Sequence, residues 1–305
     1  MAVSEIGHSA GAPEQVDLDR CVHCGLCLNS CPTYRELGVE MDSPRGRLYQ
    51  MNMVASGAAQ ITPSYVSHIE LCLACRGCET ACPSGVLYGK IVEAARAQIE
   101  ANVRRPLLVR WLRRLVFGYF LESKRGLAFA GTLLFLYEIL GIRKLVRSSG
   151  FLKLFGKLAA IEPLAPAAET PFFFRHFGTT FPAEGERRHR VAFLAGCIAN
   201  ISFARLNEAT VRVLQKNFCE VVVPAGQTCC GALHVHAGCR EDARRLARRN
   251  IDAILTGDFD AILTNAAGCG STLKEYHELL HDDPKYAERA RRFSRLMKDA
   301  SEFLA

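Results

Sequence analysis

Eight cysteines fall into two runs with one spacing. Cys21-Val-His-Cys24-Gly-Leu-Cys27-Leu-Asn-Ser-Cys31-Pro32 comes first, and Cys72-Leu-Ala-Cys75-Arg-Gly-Cys78-Glu-Thr-Ala-Cys82-Pro83 repeats it. Both read C-x2-C-x2-C-x3-C-P, the spacing that holds cubane 4Fe–4S clusters. The three closely spaced thiolates face three irons of one cube, and the fourth, ahead of proline, serves the other cube. Cys21, Cys24, Cys27 and Cys82 are therefore expected around one cluster, with Cys72, Cys75, Cys78 and Cys31 around a second. The competing readings are a zinc site or a disulfide framework. Zinc would use paired C-x2-C units, without the triplet and the Cys-Pro.

Four more cysteines, Cys197, Cys229, Cys230 and Cys269, sit among glycines (Gly196, Gly231, Gly268, Gly270) in the C-terminal third. Adjacent thiols at Cys229-Cys230 point different ways from one turn, and Gly231 lets the backbone approach closely. They are candidates for a third cluster. The alternatives are reduced core cysteines or a pair of reactive thiols. Cys219 and Cys239 read as structural. His234 and His236 follow the double cysteine; local packing or surface exposure is the favoured reading for them, with a place at the site the alternative.

The bulk numbers bound these readings. A chain of 305 residues has room for two or three domains, and 49% apolar content can build a sizeable core. Fourteen cysteines at metal spacings, after a start (Met1-Ala-Val-Ser-Glu5) with no basic-then-apolar leader, suit a reducing cytoplasm. The net charge of +7 permits contact with an acidic membrane face or partner. No basic run is interleaved with aromatics, so a nucleic-acid partner is not expected. No G-x-G-x-x-G follows a strand and no P-loop is present, so neither flavin nor nicotinamide is expected on this chain. No catalytic side-chain arrangement is legible.

The elements that must position these residues follow. Residues 1–17 read as a flexible lead. Residues 18–103 read as a helical domain around the two cysteine runs, of the bacterial two-cluster ferredoxin type. Ser43-Pro44-Arg45-Gly46-Arg47 opens a helix to about Ser56. Its arginines either sit beside an anionic cluster and raise its potential, or belong to a solvated, capped turn. Further helices are expected from Pro63 to Leu71 and from Tyr88 to Asn102.

Residues 104–189 read as a helical connector and linker. Leu107, Leu108, Trp111, Leu112 and Leu115 share one helix face, with Arg105, Arg110, Arg113 and Arg114 largely elsewhere. Such a helix lies on a membrane surface, docks a partner, or packs as an ordinary basic-faced core helix. Leu127 to Ile142 is too short to span a bilayer, which needs about 20 apolar residues, and reads as a buried or interfacial helix. The proline-rich stretch 162–189 reads as an extended linker whose phenylalanines pack on a domain. Residues 190–305 alternate strands (191–195, 220–223, 261–264) with helices, which implies an α/β domain with a parallel sheet. Cys197, Cys229, Cys230 and Cys269 all follow strand ends, where ligands of open parallel sheets gather.

Together these residues resemble the family of glycolate oxidase (glycolate dehydrogenase) iron–sulfur subunits. The resemblance runs through both ferredoxin-type runs, Ser43-Pro-Arg-Gly-Arg-Leu-Tyr49, Cys229-Cys-Gly231 and Ala267-Gly-Cys-Gly270 followed by Lys274-Glu-Tyr276. It implies a relay of electrons from a separate flavin subunit, which oxidises glycolate to glyoxylate, toward a quinone or another membrane acceptor. Beside the resemblance, the cysteine spacing leads to a cytoplasmic protein, Trp111 and the arginine-rich face to a weaker expectation of peripheral association with the inner face of the membrane, and the missing flavin and nicotinamide motifs to no glycolate oxidation by the chain alone. Related subunits of lactate and glycerol-3-phosphate dehydrogenases, and the thiol redox chemistry of heterodisulfide reductases, are the alternatives. An iron–sulfur sensor or scaffold is a third class, though nothing here resembles an effector domain. Ala266 stands where the heterodisulfide reductase type has a second cysteine, which disfavours that chemistry. The family carries two copies of the cysteine-rich CCG module, and this chain is expected to hold one.

Overall fold

The computed structural model of the chain describes residues 11–150 and 156–305. They form two compact units. One ends at Leu107 and takes in Leu233–Arg240; the other comprises Leu108–Ala232 and Glu241–Ala305. The first ten residues of the expected lead lie outside the described residues. Just before the expected boundary at residue 18, Gln15–Leu18 forms a helical turn with Asp17 and Leu18 buried, and Lys90 Nζ pairs with Asp17 at 2.7 Å.

The first unit packs the helices Pro44–Ala55, Pro63–Glu70 and Tyr88–Asn102 around Met51, Val54, Tyr65, Ile69, Ile91, Val92 and Ile99. Two of these helices start by the same device. Ser43 Oγ accepts from the Gly46 amide at 3.0 Å and Thr62 Oγ1 from the Tyr65 amide at 3.2 Å. Each cap precedes a proline whose fixed φ suits the first helical position. Gly46 is required for a second reason, since a Cβ there would overlap the Glu40 carbonyl.

The second unit holds one sheet: β1 (Thr180–Phe181), β2 (His189–Phe193), β3 (Cys219–Val222), β4 (Ala261–Thr264) and β5 (Met297–Asp299). Its order is β1-β3-β2-β4-β5. The three expected strands are its centre, and their pairs are parallel. Two edges were not legible. β5 adds a parallel edge, and β1 pairs antiparallel with β3, so the sheet is mixed. β1 lies inside the stretch expected to be linker, and Phe173 from that stretch is fully buried in the core of the sheet's unit. The helix Arg240–Ile254 buries Leu246, Ala247, Ile251 and Ile254 as its 3.6-residue period requires.

The connector carries the helices Leu107–Leu115 and Lys124–Ile139. The second of these buries only Gly126, Leu127 and Gly131. Gly131 lets it approach Ile201 and Phe172. Phe129, Leu133, Leu136 and Leu140 are exposed, so of the two expected readings, buried or interfacial, the buried one fails. No single described helix is long and apolar enough to cross a membrane. Lys124–Ile139 and Ile142–Ser148 pass that test only as a pair, bent by 66°.

Candidate iron-sulfur sites

Each ferredoxin-type run opens with a tight loop after a helix, the second leading into the short helix Gly77–Thr80 that carries Cys78, and the two loops share an unusual backbone. His23 (φ 54°) and Gly25 (φ 84°) take left-handed conformations two and four residues after Cys21. Ala74 (φ 52°) and Arg76 (φ 56°) do so at the same offsets after Cys72. A side chain in this region costs roughly 1–3 kcal/mol, and such strain persists where the site demands it. Three of the four non-glycine residues of this kind among the described residues lie in these two loops. The alternation turns the backbone around a centre instead of along a line.

The loops bring the cysteines together crosswise. Cys21, Cys24 and Cys27 line one cavity with Cys82 from the other run, in a space of about 410 Å³ including its open mouth. Cys72, Cys75 and Cys78 line a second cavity with Cys31, in about 300 Å³ measured the same way. Cys78, Pro44 and Tyr88 line both. All eight thiols are free of disulfides. Burial pushes the Cys21 and Cys27 thiols up and Cys78 up to about 12. These thiols are therefore neutral at pH 7 and would release protons on binding a metal. Cys24 and Cys75 are the exposed members, one at each mouth.

The arginines of the Pro44–Ala55 helix are divided between the cavities. Arg45 lines the first, and its Nη1 donates to the His23 carbonyl at 3.3 Å. Arg47 lines the second and is 1% exposed. Its guanidinium donates to the His68 carbonyl (2.7 Å), to Thr33 Oγ1 (3.1 Å) and to Asp42 Oδ1 (3.4 Å). Thr33 Oγ1 in turn lies 3.2 Å from Cys31 Sγ. Arg47 is thus a buried cation behind a thiol of the second cavity, and the solvated-turn reading fails for it. Further polar contacts reach Cys72 Sγ from the Ala74 amide (3.4 Å) and Tyr88 Oη (3.8 Å).

The cysteine-rich sheet gathers the other four thiols. Cys197 follows β2, Cys229 and Cys230 follow β3, and Cys269 lies in the first turn of the helix Ala267–Lys274 after β4. The carboxyl ends of three adjacent parallel strands thus converge. Cys229 Sγ and Cys197 Sγ are 3.5 Å apart, and a Cβ on Gly196 would stand 3.7 Å from Cys269 Sγ. Contact with Cys229, together with burial, drives the Cys197 thiol well up. Cys230 is also driven well up: Cys229 pulls it down, but Cys269 and burial outweigh that pull.

Behind these thiols sits a set of buried amides that sequence reasoning did not single out. Asn250 Nδ2 donates to the Cys229 carbonyl (3.0 Å) and to Tyr276 Oη (3.1 Å), and Tyr276 Oη donates to the Cys230 carbonyl (2.8 Å). Gln227 and Asn207 likewise hold the chain at Ala195. The available signal was an asparagine on the inward stripe of a helix, as at Asn250 beside Ile251. Asn200 Oδ1 and Thr264 Oγ1 are buried at these strand ends with no hydrogen-bond partner among the described residues. His236 meets Arg96 and Glu93, within the unit that takes in Leu233–Arg240.

No group of three or more His, Cys, Asp or Glu among the described residues is placed to bind a single metal ion. A zinc ion needs its ligands at about 2.0–2.3 Å from one point, whereas a cubane spreads four thiolates over separate irons. Eight free thiols divided between two open cavities, with Cys78 lining both, fit the polynuclear group in number, kind and spread.

The comparisons agree with this division of the chain. Residues 17–86 match the 4Fe-4S dicluster domain, 108–165 the linker region of the glycolate oxidase iron-sulfur subunit, and 191–274 the cysteine-rich CCG domain. The chain is 40% identical over 293 residues to a probable glycolate oxidase iron-sulfur subunit of Bacillus subtilis, covering 95% of this chain and 66% of that protein. It is 34% identical over 299 residues to the glycolate oxidase iron-sulfur subunit of Escherichia coli, covering 94% and 65%. A lactate utilization protein A of Shouchella clausii is 31% identical over 114 residues, 37% of this chain and 47% of that protein. The chain thus spans just under two thirds of the length of the first two relatives. No solved structure matches it. With three family segments in order and relatives along nearly its whole length, the chain belongs to the family of glycolate oxidase iron–sulfur subunits.

Proposed function

We propose that this chain is the electron relay of a hydroxy-acid-oxidising complex, with glycolate as the substrate of a separate flavin subunit. The observation that carries this reading is the crosswise meeting of eight thiols in two cavities that share Cys78 and Tyr88. Cys21, Cys24, Cys27 and Cys82 would hold one 4Fe–4S cluster, and Cys72, Cys75, Cys78 and Cys31 the other. Such clusters supply one-electron transfer at potentials set by nearby charge, hydrogen bonds and burial. The chain's own residues do the tuning: Arg45 and Arg47 place positive charge at the two cavities, and Tyr88 and Thr33 put hydroxyls beside thiols. Cys197, Cys229, Cys230 and Cys269 form the third site, and the buried atoms of Asn200 and Thr264 at the same strand ends support a bound group there.

Anaerobic reconstitution with an iron count and EPR tests this directly. About eight irons per chain are expected from the two ferredoxin-type sites, and about twelve if the third site takes a cubane. Fewer than about seven would refute the two-cluster reading. The chain alone is expected to oxidise no glycolate, and to take electrons from glycolate only once its flavin partner is added. The lactate branch is the second reading, favoured by the match to lactate utilization protein A.

The acceptor is proposed to be a quinone, reached from the inner membrane surface by way of the connector. Residues 104–147 carry ten Lys and Arg against two acidic residues, Glu122 and Glu138, an excess of eight. The whole chain is +7, so the rest is net −1. On the same segment Leu108, Trp111 and Leu112 are exposed. Each cation near an anionic lipid surface contributes about 1 kcal/mol. Replacing Arg110, Arg113 and Arg114 with Gln is expected to weaken membrane partition of the complex on the order of a hundredfold. Sedimentation with membranes at low salt measures this, and an unchanged bound fraction would assign the helix to ordinary packing.

A further inference from the structure

Glu93 and Arg96 lie one turn apart on the helix Tyr88–Asn102, and between them they hold two separate pieces of chain. Arg96 Nη2 donates to the carbonyls of Ile69 (3.2 Å), Glu70 (3.3 Å) and Cys72 (2.5 Å). Its Nη1 donates to the His236 carbonyl at 2.9 Å. Ile69 and Glu70 end the helix Pro63–Glu70, where backbone carbonyls lack helical donors and a cation is favoured. Glu93 Oε1 stands 3.2 Å from Arg76 Nη2 and 3.2 Å from His236 Nδ1. Cys72 opens the second ligand loop and Arg76 lies within it. His236 belongs to Leu233–Arg240, which begins three residues after Cys230 in sequence yet packs in the first unit.

Gly238 shows how closely that segment is seated. Its φ is +79°, and a Cβ there would overlap the Arg96 carbonyl. Leu233–Arg240 is therefore a strap laid directly on the helix that holds the second loop. The first loop is met instead by Arg45, at His23.

We propose that Arg96 is a positioning residue for the second site, and that Arg96 and Glu93 couple the Cys72–Cys78 loop to the strap. Moving the strap then changes the redox behaviour of the second site and leaves the first alone. The proposal rests on the reading of Cys72 as a cluster ligand. Its physical basis is a guanidinium shared between the Cys72 and His236 carbonyls. If the strap leaves, the fork loses an acceptor that fixes its position. If the guanidinium leaves, a positive charge that favours the added electron is lost from the Cys72 loop.

The test uses the full chain, with an EPR-monitored redox titration after anaerobic reconstitution and amide hydrogen exchange in Leu233–Arg240. Arg96→Gln is expected to lower the midpoint potential of the second site, leave the first unchanged and speed exchange in the strap. Arg96→Lys, which keeps the charge and loses the fork, recovers part of the midpoint. Gly238→Ala leaves Arg96 in place and is expected to speed strap exchange and shift the second midpoint alone. The proposal is overturned if Arg96→Gln moves both midpoints together or neither. It is equally overturned if Gly238→Ala frees the strap and the second midpoint stays where it was. Exchange separates the two failures. A wild-type chain that loads only the first site refutes the ligand reading, whereas strap exchange indifferent to Arg96→Gln refutes the tether.

Discussion

Replacing Cys82 with Ser is expected to empty the site whose other thiols belong to the first run, although Cys82 belongs to the second. About four of eight reconstituted irons should be lost, and the EPR signal that remains should be that of the Cys72, Cys75, Cys78 and Cys31 site. Cys31→Ser should do the reverse. The expectation follows from the cavities, since Cys82 lines the space around Cys21, Cys24 and Cys27, and Cys31 lines the space around Cys72, Cys75 and Cys78. If each run held its own cluster, Cys82→Ser would instead remove the signal that Cys75→Ser removes. Matching the signals lost in Cys82→Ser, Cys24→Ser and Cys75→Ser decides between the two arrangements. Cys24 and Cys75 suit the comparison because they are exposed, so their replacement disturbs little packing.

Arg47→Gln is expected to have the largest effect of any substitution outside the cysteines. The guanidinium is fully buried and donates to three partners on three different segments: Thr33, Asp42 and the His68 carbonyl. Removing one member of a buried ion pair costs about 3–5 kcal/mol, because the other charge stays desolvated. Here His68 Nδ1 remains 2.9 Å from Asp42 Oδ1, which places the loss toward the lower end of that range. A guanidinium chloride melt of the chain measures it. The second function of Arg47 is separable from the first. With the cation gone from behind Cys31, the second site should become harder to reduce and the first should keep its potential. Arg47→Lys restores charge without the planar fork, and should recover potential better than stability. A variant that melts like the wild type would show that the buried pair contributes nothing net.

The two ferredoxin-type sites were legible because metal-ligand chemistry is local. Three thiols within seven residues can reach one cube whatever surrounds them, and the cysteine before proline marks the exchange between cubes. The central strands were legible for a similar reason, since Val191 to Ala195, Glu220 to Val223 and Ala261 to Thr264 are short apolar runs between helical patterns. The edges were not. β1 is two residues long inside a proline-rich stretch, and β5 is three residues between helices. Pairs that short are held by their neighbours and leave no periodicity of their own. The amides behind the cysteine-rich site escaped for a different reason. Asn250 and Asn207 look like interruptions of an apolar stripe until the carbonyls they satisfy are known.

The residue types and spacings alone thus specify the kind of chemistry expected here: two cysteine runs at iron–sulfur spacing, each with a cysteine before proline assigned to the other run's site, and a further cysteine set at the ends of parallel strands. They specify it because a thiolate's affinity for iron depends on the residue and on its near neighbours in the chain. The folded chain decides which charges and dipoles surround those centres. Arg47 could have been a solvated turn residue, and is a buried cation because Thr33, Asp42 and His68, distant in sequence, close around it. His236 could have joined the nearby double cysteine, and instead lies on the helix that carries Arg96. Desolvation and long-range contact set these outcomes, and neither is encoded in the spacing of any one stretch.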